Sequence, residues 1–161
     1  MNNPKQRAPR RLLFYTEIMP AVRNPDEIFV TPEQIPSACQ GELHPMAVKG
    51  IELFDKGHYW EAHEALEAAW RDEIEPVRFL YQGILQVGIV YLQIERNNFI
   101  GMAKMFERCK KWLRPWPVEC RGIDVAQLRS DVAAAVAAAG KLGPGNLQGF
   151  DRSLFRKLKR I

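Results

Sequence analysis

The stretch Phe54-Asp55-Lys56-Gly57-His58-Tyr59-Trp60-Glu61-Ala62-His63-Glu64-Ala65-Leu66-Glu67-Ala68-Ala69-Trp70 decides how this chain reads. Ahead of it, Ala47, Ile51 and Phe54 recur on one helical face from His44 onward, and Gly57 stands where a helix takes its C-terminal cap. A second helix is expected from about Tyr59 to Arg71, packing through Ala62, Ala65, Leu66, Ala69 and Trp70, with small alanines that permit close approach of a neighbour. Three carboxylates and a histidine fall within about two turns of it. His63 and Glu67 are one turn apart and share a face, flanked by Trp60 and Trp70. Glu64 projects roughly 100° away from His63, the position of the general base in the His-Glu-x-x-His helix of zinc proteases, with Glu67 standing in place of the second histidine.

Working outward, Pro76 starts a third helix that runs to about Arg96 and is apolar almost all round, which predicts a central position. Asn97-Asn98 breaks it. A fourth helix carries Met102, Ala103, Phe106, Cys109, Trp112 and Leu113 until Pro115 and Pro117, and Asp124 with Gln127 caps a fifth that Gly140 closes. Pro4, Pro9, Pro20, Pro25, Pro32 and Pro36 exclude long helices near the start. Thr31-Pro32-Glu33-Gln34 has the form of a capping box and predicts one short helical turn, stopped by Pro36. After the loop Gly140 to Gly145, Phe150 to Ile161 reads as a short basic amphipathic helix with Leu154, Phe155, Leu158 and Ile161 inward. The expected fold is all-α, a compact bundle of about five helices. Its expected parts are an extended arm over residues 1–43, a helical domain over 44–142, and a loop with a basic helix over 143–161.

A faint internal echo repeats at a spacing of forty residues: Gly57, Tyr59, Ala62, Leu66 and Glu67 against Asn97, Phe99, Met102, Phe106 and Glu107. Two such helix pairs fall short of the three or so repeats a solenoid needs, which favours a closed bundle.

With 161 residues, 47% of them hydrophobic, the chain can bury one ordinary core. Cys39, Cys109 and Cys120 are an odd number without Cys-x-x-Cys spacing, which points to a reducing compartment and to cysteines used for packing. Leu12 to Tyr15 is too short for a signal-peptide core, and no later stretch reaches membrane-spanning length, so a cytoplasmic location without membrane attachment is expected. The net charge of +4 is concentrated at the ends, in Lys5, Arg7, Arg10 and Arg11 and again in Arg152, Arg156, Lys157, Lys159 and Arg160. These read as solvated ends. Because the middle around Tyr59, Trp60 and Trp70 is acidic, nucleic acid is not the expected partner.

Trp60 to Trp70, then Arg78-Phe79-Leu80-Tyr81-Gln82-Gly83-Ile84-Leu85-Gln86-Val87, Asn97-Asn98-x-x-Gly101 and Gly122-Ile123-Asp124-Val125 together resemble the bacterial and archaeal family called DUF309, over about His44 to Leu142. The resemblance implies a compact all-helical domain with no assigned activity.

On the third helix Gln82, Gln86 and Gln93 form one narrow stripe, with Arg78 near its start. Buried amides need partners, since an unsatisfied one costs about 1–3 kcal/mol. If the second and third helices pack side by side, the stripe faces His63, Glu64 and Glu67. One reading is a pocket lined by Tyr59, Trp60, His63, Glu67, Trp70, Arg78, Gln82 and Gln86, binding a small ligand or a divalent metal, zinc or iron, on His63 and Glu67, with Glu64 as the acid or base of a hydrolysis. A third protein ligand would have to come from Gln86, His44 or His58. The other reading is a structural or protein-partner module, monomeric or homo-oligomeric, in which Arg78 neutralises a glutamate and the glutamines close a buried network.

Overall fold

A computed structural model describes residues 30–161. The six α-helices among them are α1 (Ile35–Ala38), α2 (Pro45–Asp55), α3 (Tyr59–Asp72), α4 (Arg78–Glu95), α5 (Phe99–Leu113) and α6 (Val125–Leu142). A two-stranded antiparallel hairpin, β1 (Glu119–Cys120) and β2 (Ile123–Asp124), precedes α6. Most of the expected arm, residues 1–29, lies outside the described residues.

The helix boundaries follow from local chemistry. His44 caps α2, its Nδ1 accepting from Met46 N at 3.1 Å, and Gly57 ends that helix at φ +79°. Asn98 caps α5 by accepting from Gly101 N at 3.0 Å, and Asp124 caps α6 by accepting from Gln127 N at 2.8 Å. The forty-residue echo has a backbone counterpart. Asn97 takes a left-handed φ of 54°, as Gly57 does, so equivalent turns close the hairpins α2–α3 and α4–α5. In both, the helices come very close. A Cβ on Gly50 would lie 2.5 Å from Leu66 Cγ, and one on Gly83 would lie 2.6 Å from Leu113 Cδ2.

Helices α2 to α5 pack in sequence order, and α6 lies across α5 and α4. From Leu80 to Leu92 every residue of α4 is buried, as its all-round apolar character requires. None of the described helices is long and apolar enough to cross a membrane.

Three expectations change. Pro36 does not stop a helix; it occupies the first turn of α1, where a missing N–H costs nothing, while Gln34 Oε1 accepts from Thr31 N at 2.9 Å. Residues 150–161 form no α-helix. After short 3-10 turns at Leu147–Gly149 and Arg152–Leu154 the chain runs along the hairpin, because its amides find tertiary acceptors: Leu158 N donates to Asp55 Oδ1 at 2.8 Å and Ile161 N to Gly122 O at 2.8 Å. Ile161 consequently points outward, whereas Phe150 and Leu158 are buried.

The third change concerns the cysteines. Cys39 and Cys120 are joined in a disulfide across a sequence separation of 81 residues, with Cα atoms 4.6 Å apart, and only Cys109 is a thiol. In the chain-entropy model a bridge closing a loop of this size disfavours the unfolded state by roughly 4.5 kcal/mol. Such bridges persist in oxidising surroundings, which removes the cysteine argument for a reducing compartment.

Candidate functional site

Two neighbourhoods on α3 and α4 take up the residues singled out in the sequence. The first centres on His63, which is buried and stacks on Trp60 with ring centroids 5.0 Å apart and planes at 23°. One turn on, Glu67 Oε2 stands 3.7 Å from His63 Nε2, an ion-pair distance longer than a hydrogen bond. The other carboxylate oxygen accepts from Arg71 Nη2 at 2.5 Å. Thus Arg71 neutralises the glutamate, in place of the expected Arg78. Its signal was present in the sequence, since Glu67 and Arg71 are themselves four residues apart on a helix.

As a metal site this pair is short of donors. Among the described residues no group of three or more His, Cys, Asp or Glu is arranged to hold a metal ion. The proposed third ligands lie in other interactions: His44 Nε2 is 2.6 Å from Asp72 Oδ2 while its Nδ1 caps α2, and His58 is exposed at the start of α3. Glu64 is half-buried on the same helix.

The second neighbourhood is built on Arg78, at the start of α4. Its guanidinium carbon lies 4.9 Å from the centroid of the Trp70 ring and 5.8 Å from that of Phe79, and Phe79 stacks on Trp112 of α5 at 5.8 Å and 21°. Trp70, Arg78, Phe79 and Trp112 therefore form a continuous ledge across α3, α4 and α5. Helical periodicity alone places Phe79 and Trp112 on the apolar faces of their helices, because it does not separate a core aromatic from one at a rim. Trp70, Arg78 and Phe79 are half-buried, and Trp112 is buried. Among the described residues Trp70 Nε1 and Arg78 Nε have no acceptor.

The glutamine stripe divides. Gln82 and Gln86 are buried in α4, and Gln86 Oε1 has no donor among the described residues. Gln93, near the helix end, instead accepts from Asn98 Nδ2 at 3.0 Å. Tyr59 leaves the expected lining altogether. It joins an aromatic cluster with Phe54, Tyr91 and Phe155 at centroid distances of 5.4, 5.5 and 5.9 Å, where burial pushes its hydroxyl pKa up. Burial likewise pushes the Tyr91 hydroxyl and the Cys109 thiol up, the thiol to about 12, so neither is a ready nucleophile.

A surface concavity of about 440 Å³ opens beside the first neighbourhood, lined by His44, Met46, Ala68, Arg71 and Asp72, at the N-terminus of α2 and the C-terminal end of α3. It holds the Asp72–His44 pair. With His44 Nδ1 accepting from Met46 N, the ring is the Nε2–H tautomer donating to Asp72, and neither nitrogen is left to serve as a base.

Residues 47–105, from within α2 to the middle of α5, match the model of a family described as a domain of unknown function, DUF309. Over those residues the chain is similar to the DUF309 family. No curated protein matches the sequence. The DUF309 match takes in His63, Glu67, Trp70, Arg78, Gln82 and Gln86, and stops short of Trp112, the disulfide partner Cys120 and the hairpin.

Proposed function

We propose that the DUF309-like helical domain is a binding module that takes a carboxylate-bearing small ligand on the α3–α4 side, with Trp70 and Arg78 as the recognition pair and the Phe79–Trp112 stack as its apolar wall. The supporting observation is the pair of donors, Trp70 Nε1 and Arg78 Nε, held on touching side chains with no acceptor among the described residues. A planar anion suits both chemistries, because a guanidinium pairs with carboxylates and the ledge offers aromatic faces. His63, Glu67 and Arg71 then act as the charge-balanced support of α3 beside it. A catalytic or metal-dependent reading has less behind it, since the His63–Glu67 pair offers two donors and Glu67 is shared with Arg71.

Benzoate is the simplest probe, with benzamide as its neutral counterpart. Isothermal titration should detect benzoate in about the millimolar range, as expected for a ligand of this size. Benzamide should bind more weakly, and Arg78→Gln should lower benzoate affinity about tenfold or more through loss of a charge-assisted hydrogen bond. Equal affinities for benzoate and benzamide would remove the recognition pair from the account.

A further inference from the structure

The β1–β2 hairpin is the point at which both ends of the described chain are fastened. Its turn residues Arg121 and Gly122 have φ of 49° and 79°, the pair of left-handed conformations that a two-residue turn between antiparallel strands requires. On one side, Ile123 bridges to Arg160, Asp124 N donates to Lys159 O at 3.0 Å and Ile161 N to Gly122 O at 2.8 Å, tying down the C-terminal segment. On the other side, Cys120 holds Cys39 covalently, and Arg121 donates from Nε to Ala38 O at 2.7 Å and from Nη1 to Glu42 O at 2.6 Å.

The segment held on that second side, residues 30–43, has little structure of its own. Helix α1 is a single turn of four residues with no side-chain cap, too short to persist unsupported. Its buried side chains are few: Val30, Ala38 and Leu43. The bundle behind it is continuous from α2 to α5 without it. The two cysteines also differ in exposure, Cys39 being half-buried and Cys120 fully buried.

We propose that Cys39–Cys120 is a redox-operated latch, whose reduction by a dithiol frees residues 30–43 from the hairpin while α2 to α6 stay folded. The thiolate of the dithiol attacks Sγ of Cys39, the more exposed of the two residues. The S–S bond breaks, and Cys120 leaves as a thiolate that takes up a proton. The second thiol of the reductant then attacks the mixed disulfide, releasing Cys39 as a thiol, so that two electrons and two protons pass to the protein and the reductant becomes a disulfide. Arg121 is left as the remaining, non-covalent hold on Ala38 and Glu42. Opening uncovers Cys120 and the inner side of the hairpin. Cys109 takes no part, being buried with a thiol pKa pushed up to about 12.

Amide hydrogen exchange of the whole chain, oxidised and then treated with dithiothreitol, tests this. Reduction should speed exchange at Ala38, Cys39 and Gln40, whose amides are hydrogen-bonded within the segment, by about a hundredfold or more, and leave α4 between Tyr81 and Ile94 unchanged. Oxidised Arg121→Ala should keep residues 38–40 protected, and reduced Arg121→Ala should expose them at least as fully as the reduced wild type. Brief treatment with glutathione, followed by peptide mapping, should find the adduct on Cys39. Unchanged exchange at residues 38–40 after reduction, a parallel rise throughout α4, or glutathione on Cys120 alone would each overturn the latch.

Discussion

Replacing Gln86 by methionine should stabilise the protein. The side chain is 2% exposed in the middle of α4, and its carbonyl oxygen has no donor among the described residues. A buried polar atom that gives up water without gaining a partner costs about 1–3 kcal/mol, and methionine removes it while filling a similar volume with a flexible chain. Most core substitutions lose packing. Here the recovered desolvation exceeds the small repacking cost expected of a volume-conserving change, which leaves a net gain of about 1–2 kcal/mol. For a chain of this size each kcal/mol moves the melting temperature by roughly 2–4 °C, so a rise of roughly 2–8 °C is expected. Thermal melts followed by circular dichroism, with urea midpoints as a second measure, give the answer. A loss of about 1 kcal/mol or more would mean that the Gln86 amide is satisfied in the folded protein, and the reasoning from its oxygen would fail.

Three further outcomes follow from the packing and electrostatics. Gly83→Ala should destabilise by about 1–3 kcal/mol, because its new Cβ would meet Leu113, itself held in the core, at 2.6 Å; a neutral result would show that α4 and α5 can move apart cheaply. Burial raises the Asp55 carboxyl pKa above its ordinary 3.8, outweighing the opposing Leu158 amide and the Lys157 and Arg160 charges. The folded state therefore holds that proton more tightly than the unfolded one, and Asp55 makes stability fall as pH rises from about 3.8 through the raised value. Asp55→Asn keeps an oxygen for Leu158 N, so it should gain on the wild type at neutral pH and lose that advantage below about pH 4; an advantage that persisted in acid would contradict the sign. Elemental analysis of tag-free protein should find less than about a tenth of an equivalent of zinc or iron, and a full equivalent lost in His63→Ala would restore the metal reading.

The helical frame was legible because its signals are local. Gly57, Asn98 and Asp124 mark helix ends through backbone conformation or side-chain caps that depend on a few neighbouring residues, and the apolar run of α4 states its own burial. What escaped was tertiary. The disulfide joins residues 81 apart, and an odd cysteine count does not say which two pair. The hairpin strands are two residues each, too short for any alternating pattern, and the Arg121-Gly122 turn was the one available sign. The C-terminal stripe Leu154, Phe155, Leu158 is apolar at helical spacing, yet the acceptors offered by Asp55 and Gly122 outcompete helix formation. In the candidate site the pairing of His63 with Glu67 was readable from a spacing of four. That Arg71 shares the glutamate was readable by the same rule, whereas the stacking of Arg78 between Trp70 and Phe79 depends on how α3 turns into α4.

The recognition pair is tested most directly by the indole N–H of Trp70 in a proton–nitrogen NMR spectrum of the labelled protein. The chain has four tryptophans, and Trp70→Phe assigns the signal. Titration with benzoate to about 20 mM, well above the expected millimolar affinity, should move that resonance downfield and to saturation as the indole gains an acceptor. In Arg78→Ala the movement should be absent. A Trp70 resonance that stays in place throughout the titration, or moves equally with benzamide, would contradict the proposed carboxylate site.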